Sequence, residues 1–120
     1  MMVKNRVLIA DDEPYLVRAL TFVLRREGYQ VDWASDGKES LEKIMIQKPD
    51  FALIDHRLPY RQGTEIARLI KEDPALKNIF TILLITQEED RTLCTAAGAD
   101  HILTKPFSPS KVVDFLGQVA

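Results

Sequence analysis

The sequence predicts a doubly wound α/β fold, in which a five-stranded parallel sheet alternates with five helices. Three observations lead there. Short β-type runs, such as Val7-Leu8-Ile9-Ala10 and Ile82-Leu83-Leu84-Ile85, alternate regularly with amphipathic helical patterns. Two of the runs, Phe51–Asp55 and Phe80–Thr86, are apolar along nearly their whole length, as strands covered on both faces must be. The chain has 120 residues, enough for one domain, with no repeat, low-complexity stretch or Gly/Ser linker to divide it.

The elements follow in order. Arg6–Asp11 is the first strand. Pro14–Glu27 is helical, with Leu16, Ala19, Leu20, Val23 and Leu24 at helical spacing. Asp12 suits its N-cap, Pro14 its first turn and Gly28 its stop. Gln30–Ala34 is the second strand and Gly37–Gln47 the second helix, ended by Pro49. Phe51–Asp55, the third strand, precedes a helix over Thr64–Glu72. Phe80–Thr86, the fourth, precedes a helix over Glu88–Ala97 that stops at Gly98. His101–Leu103 is a short fifth strand and Ser108–Val119 the last helix.

Composition narrows the function. Sixteen Lys and Arg against 18 Asp and Glu leave a formal charge of −2, with no basic excess to hold a nucleic-acid backbone. No apolar run approaches the ~20 residues of a membrane helix. The N-terminus reaches Asp11 too soon for a signal peptide, and the lone Cys94 cannot form an internal disulfide. These features predict a cytoplasmic protein.

In a doubly wound sheet the ligand site lies outside the carboxyl ends of the strands. Those ends carry Asp11-Asp12 with Glu13, then Asp55, then Thr86, and after the fifth strand Lys105-Pro106. Taken singly, such residues cap helices or sit in loops. Together they put carboxylates, a hydroxyl and an ammonium on one edge. Two carboxylates ~4 Å apart repel by about 4 kcal/mol at an effective dielectric of 20. Such a cluster takes up a proton or a cation, and oxygen ligands with open water positions suit Mg²⁺. A lysine beside it is a point charge for phosphate. The edge reads as a phosphoryl site beside a divalent metal, where an aspartate can be the nucleophile.

Those residues, with Pro59, Gly63, the Gly98-Ala99-Asp100 turn and Lys105-Pro106-Phe107, resemble the receiver domain of two-component response regulators, the family of the chemotaxis response regulator. The resemblance covers essentially the whole chain, 1–120, as a single receiver domain, alone or within a longer protein. It implies a (βα)5 flavodoxin-like sheet of order 2-1-3-4-5. It implies that Asp55 accepts the phosphoryl group in a Mg²⁺-dependent reaction, from a sensor histidine kinase or a phosphotransfer protein. Asp11, Asp12, Asp55 and the Arg57 backbone carbonyl would hold the metal, with Asp12 the direct ligand of the first pair. Lys105 would pair with the phosphoryl oxygens and Thr86 would reorient to bond one. The Lys105–Pro106 peptide is often cis in such proteins. The implied protein is a switch that catalyses only its own phosphorylation and slow dephosphorylation, not an enzyme with a metabolite substrate. The first helix and the loop after Lys105 would meet the kinase. The face of the fourth helix, fifth strand and fifth helix would meet an output domain, a target or, on phosphorylation, a second copy. Nucleic acid and membrane are not expected partners of this domain.

Two positions depart from the family pattern. Ile102 stands where an aromatic residue is usual, so the readout is expected to run through the loop before the fourth helix. Gln87 replaces a small residue after Thr86 and either narrows access to the phosphate or faces solvent. An Arg57–Glu88 pair could span the site mouth. His56 and His101 read as unpaired surface residues, Cys94 as a small core hydrophobe, Trp33 as packing, and Arg25-Arg26 as a solvated helix face. Two alternatives stand beside the switch. A phosphatase of the haloacid dehalogenase type needs an acid two residues after its nucleophile, and Arg57 stands there. A receiver-shaped interaction module that ignores phosphate is left open by Ile102 and Gln87.

Overall fold

The structure is a computed structural model that describes residues 4–119. The strands are β1 (Arg6–Ala10), β2 (Gln30–Ala34), β3 (Phe51–Asp55), β4 (Phe80–Ile85) and β5 (His101–Thr104). The helices are α1 (Pro14–Arg26), α2 (Gly37–Gln47), α3 (Gly63–Glu72), α4 (Arg91–Ala96) and α5 (Pro109–Val119). All neighbouring strands pair in parallel, in the order β2-β1-β3-β4-β5, as predicted.

The apolar strands are central because both faces are covered. Every residue of β3 is buried. Successive side chains of a strand alternate between faces. Leu8, Ala52, Ile54, Leu83 and Ile85 therefore pack with Ile44 of α2, Ile66 and Ile70 of α3 and Cys94 of α4. Val7, Ile9, Leu53, Ile82 and Leu84 turn the other way, onto Val17, Leu20 and Leu24 of α1 and Val112 and Leu116 of α5. Three helices thus cover one face and two the other.

Several boundaries differ from the sequence prediction. Asp12 does not cap α1. Glu13 is the N-cap residue, without a side-chain cap bond, and the Glu13 N–H is taken by Asp11 Oδ1 at 2.9 Å. β4 stops at Ile85, one residue short of Thr86. The predicted fourth helix is split into a 3-10 turn over Glu88–Asp90 and a short α4. Gly28 ends the first helix as expected, in the left-handed region at φ +96°. No helix among the described residues is long and apolar enough to cross a membrane.

Candidate functional site

Sheet register assembles the site. Ala10 lies opposite both Ala34 and Ile54, Asp55 opposite Leu84, and Ile85 opposite Thr104. The next residue along β1, β4 and β5 is Asp11, Thr86 and Lys105, and Asp55 itself ends β3. All four stand in a row at the carboxyl edge. Backbone bonds continue the register beyond the strands: the Asp11 N–H donates to the Ala34 carbonyl at 3.1 Å, His56 to Leu84 at 2.9 Å and Lys105 to Ile85 at 2.7 Å.

Carboxylate oxygens of Asp11, Asp12 and Asp55 lie within 4.8 Å of one another. Asp11 and Asp55 are buried, and Asp12 is exposed. Lys105 Nζ reaches into the cluster, 2.8 Å from Asp11 Oδ2, 3.2 Å from Asp55 Oδ2 and 2.6 Å from Glu13 Oε2. Burial raises the Asp11 carboxyl above its ordinary value, the nearby Asp55 charge adds to this, and contact with Lys105 and the Glu13 N–H offsets only part. Burial works against the Lys105 ammonium, but Asp11, Glu13 and Asp55 outweigh it and hold its pKa above the ordinary lysine value. Lys105 therefore stays charged. The Arg57 N–H donates to Asp55 Oδ1 at 3.1 Å and turns that carboxylate toward the cluster. The Lys105–Pro106 peptide is cis.

The donor set suits a hard divalent cation. Asp11 Oδ2 is buried, and although it is close to Lys105 it has no hydrogen bond of acceptable geometry. An oxygen desolvated in this way is costly unless something takes up its lone pairs. One exposed carboxylate beside two buried ones also leaves room for water ligands, as Mg²⁺ requires.

Glycines allow the loops to close on this edge. A Cβ on Gly63 would run into the carbonyl oxygen of Asp55, and one on Gly37 into the carbonyl oxygen of Arg61. The Gly63 N–H donates to the His56 carbonyl at 2.9 Å, which closes the loop after β3.

The other side chains divide. Thr86 and Gln87 are exposed. Ile102 is partly buried and packs against the α2–α4 side of the core. The suggested Arg57–Glu88 pair is not made. Arg57 lies 3.4 Å from Asp90, while Glu88 binds Arg91 and accepts from the Thr104 hydroxyl at 3.1 Å. His56 is not a surface residue: it is 6% exposed, with Nε2 3.8 Å from Asp90. The strand-end position buries it, and the acid it faces lies 34 residues away in sequence, so no local pattern announces the contact. His101 is partly buried and stacks on Phe115, with centroids 4.0 Å apart. Cys94 is buried, as expected. Trp33 is 47% exposed and so is not simply packing. Glu13 joins the site in the structure; its only sequence signal is the run of three acids, and its contact with Lys105 spans 92 positions.

Residues 7–116 match the family described as the response regulator receiver domain. The chain is 40% identical over 111 residues to the alkaline phosphatase synthesis transcriptional regulatory protein PhoP of Bacillus subtilis, covering 90% of this chain and 45% of that protein. It spans about half the length of the curated relatives it matches. Among solved structures it resembles the chemotaxis response regulator CheY4 of Vibrio cholerae, with 28% identity, a TM-score of 0.90, and coverage of 98% of this chain and 100% of that one. It also resembles the receiver domain of the sensor histidine kinase PA1611 of Pseudomonas aeruginosa, which carries a magnesium ion coordinated in its active-site cleft. There the identity is 27%, the TM-score 0.86 and the coverage 97% of each chain.

Proposed function

The chain belongs to the response regulator receiver family, and we propose that within it Asp55 is the residue that takes the phosphoryl group. As a receiver domain it is a phospho-accepting switch of two-component signalling, phosphorylated from a histidine kinase in a Mg²⁺-dependent reaction, rather than an enzyme with a turnover substrate. The observation that carries the assignment to Asp55 is its position: it ends the fully buried central strand, within 3.2 Å of the Lys105 ammonium and beside Asp11 and Asp12.

The residue roles follow from charge. An Asp55 carboxylate oxygen attacks the phosphorus of a phosphohistidine. The new P–O bond forms as the P–N bond breaks, and the electron pair leaves on the imidazole nitrogen. Lys105 balances the charge on the phosphoryl oxygens. It must then share itself between the phosphoryl group and Glu13, which holds it in the resting domain. Thr86, free at the end of β4, donates its hydroxyl to a phosphoryl oxygen. Asp11, Asp12, Asp55 and the Arg57 backbone carbonyl would hold Mg²⁺, which would supply positive charge that lowers the repulsion between the incoming phosphoryl group and the carboxylates.

At the scale of the cell, residues 1–120 act as one receiver domain of a cytoplasmic phosphorelay. A phosphotransfer protein serves as donor as well as a kinase. The output is a joined domain, a docked target or a phosphorylation-dependent homodimer. In this reading the domain itself does not bind nucleic acid. Intact mass after incubation with Mg²⁺ and acetyl phosphate tests the assignment. The wild type is expected to gain one phosphoryl group, and neither Asp55→Asn nor the wild type in EDTA is expected to gain it. A phosphorylated Asp55→Asn protein would overturn it. Binding of a target with equal affinity before and after phosphorylation would favour the phosphate-independent module.

A further inference from the structure

The sheet has a free edge at β2, which pairs with β1 on one side only. The Gln30 N–H donates to the Asn5 carbonyl, and the Ala34 carbonyl accepts from the Asp11 N–H. Along a parallel ladder every second residue bonds to the same neighbour, so Gln30, Asp32 and Ala34 serve β1. Val31 and Trp33 therefore point their N–H and C=O groups outward, where another strand could add. Side chains already occupy three of those four groups. Arg25 of α1 donates to the Val31 carbonyl at 3.1 Å. Lys43 of α2 donates to the Trp33 carbonyl at 2.7 Å. The Trp33 N–H donates to Asp32 Oδ1 at 2.8 Å. Asp32 is itself fixed by Lys43 at 3.2 Å and by Gln47, which donates to Oδ2 at 2.7 Å. The two helices that flank β2, one on each face of the sheet, thus each lay a basic side chain over the edge.

We propose that Arg25, Asp32 and Lys43 form a polar guard that keeps the β2 edge from pairing with a second copy of this chain. The edge needs one. A strand with Val31 and a Trp33 that is 47% exposed has the composition that adds further strands readily. Two copies that pair edge to edge about a two-fold axis run antiparallel. The register that uses every outward group sets Val31 of each copy against Trp33 of the other, which gives four hydrogen bonds. Asp32 lies midway, so that register places it directly opposite the same residue of the second copy. Like charges so placed repel. The guard therefore acts twice. It occupies the backbone groups that pairing needs, and it sets a carboxylate against its own image. It contains none of the phosphoryl-site residues, so it acts whichever residue accepts the phosphate.

Two variants test this by sedimentation velocity, with EDTA and without a phosphodonor. Arg25→Met/Lys43→Met removes the two donors and keeps the apolar stems, and a triple variant adds Asp32→Thr. The wild type is expected to sediment as a monomer. The triple variant is expected to dimerise with a dissociation constant at least about tenfold below any that the wild type shows, and the double variant to fall between them. Phosphorylation by acetyl phosphate, assayed separately with Mg²⁺, shows that each variant is folded. Adding Trp33→Pro should restore the monomer, because that N–H points away from β1 and its loss closes the edge without breaking a ladder bond. The proposal is overturned if the folded variants sediment as the wild type does, or if the proline leaves the association intact. It is also overturned if the wild type already dimerises with its Val31 and Trp33 amides protected from hydrogen exchange. Should the triple variant fail to take up phosphate, the double variant decides by the same criteria.

Discussion

Replacing Lys105 by Met separates the stability of the metal-free domain from its affinity for the metal, and moves the two in opposite directions. The ammonium lies 2.8 Å from the buried Asp11 carboxylate and 3.2 Å from Asp55, with its own side chain 11% exposed. At an effective dielectric of 20, the first contact alone is about 6 kcal/mol of gross attraction. Desolvating the lysine cancels much of this, but removing one partner of a buried pair leaves the other uncompensated and costs about 3–5 kcal/mol. Glu13, 59% exposed, recovers its hydration when released, which places the expected loss at about 3 kcal/mol. The metal responds the other way. An ammonium and a divalent cation ~6 Å apart repel by about 1.4 kcal/mol even at the dielectric of water, so Lys105→Met should bind Mg²⁺ about tenfold more tightly. Urea unfolding with EDTA and with saturating Mg²⁺, alongside calorimetric titration of the metal, measures both. A metal-free loss under about 1 kcal/mol together with unchanged or weaker Mg²⁺ binding would refute the claim that Lys105 is the resting counter-ion of the cluster.

Other consequences follow from the same geometry. Gly63→Ala should lose about 1–3 kcal/mol in urea unfolding and slow acetyl-phosphate phosphorylation, because the new methyl collides with the Asp55 backbone; wild-type stability and rate would show that the loop gives way freely. Asp11 has its pKa raised in the fold, so the native state holds that proton more tightly than the unfolded chain. Its contribution to stability should therefore fall as pH rises from its ordinary 3.8 through the raised native value, and Mg²⁺ binding should weaken as pH drops through the same window. Asp11→Asn should flatten both trends, and an unchanged slope in that variant would contradict the assignment. With Ile102 in place of an aromatic, phosphorylation should shift amide resonances over residues 86–94, where Glu88 and Arg91 tie the turn to Thr104; unmoved signals there would reject that route of readout.

What the sequence made legible depended on how locally each feature is determined. Strands buried on both faces must be apolar throughout, so β3 and β4 announce themselves, and with alternating helices they carry the fold class, while the strand order follows only from the resemblance to receiver domains. The site was legible for the same reason: parallel register brings the residues after each strand to one edge. What escaped were features set across the chain. The contact of His56 with Asp90, the choice of Asp90 over Glu88 by Arg57, and the hold of Glu13 on Lys105 all join loops far apart in sequence. The sequence predicts too long a fourth helix because Glu88-Glu89-Asp90 continues a helical pattern, while the backbone there tightens into a 3-10 turn. Trp33 departs from its reading as packing because it lies on the edge strand of the face with only two helices, and the helix count on a face is a property of the whole fold.

The most direct test of the central claim is to locate the phosphoryl group. Reduction of the phosphorylated domain with borohydride converts an acyl-phosphate aspartate to homoserine, and peptide mass mapping then reads its position. The account predicts modification at Asp55 alone, dependent on Mg²⁺. Modification at Asp11 or Asp12, or an acid-labile phosphoryl group on His56 with Asp55 untouched, would contradict it.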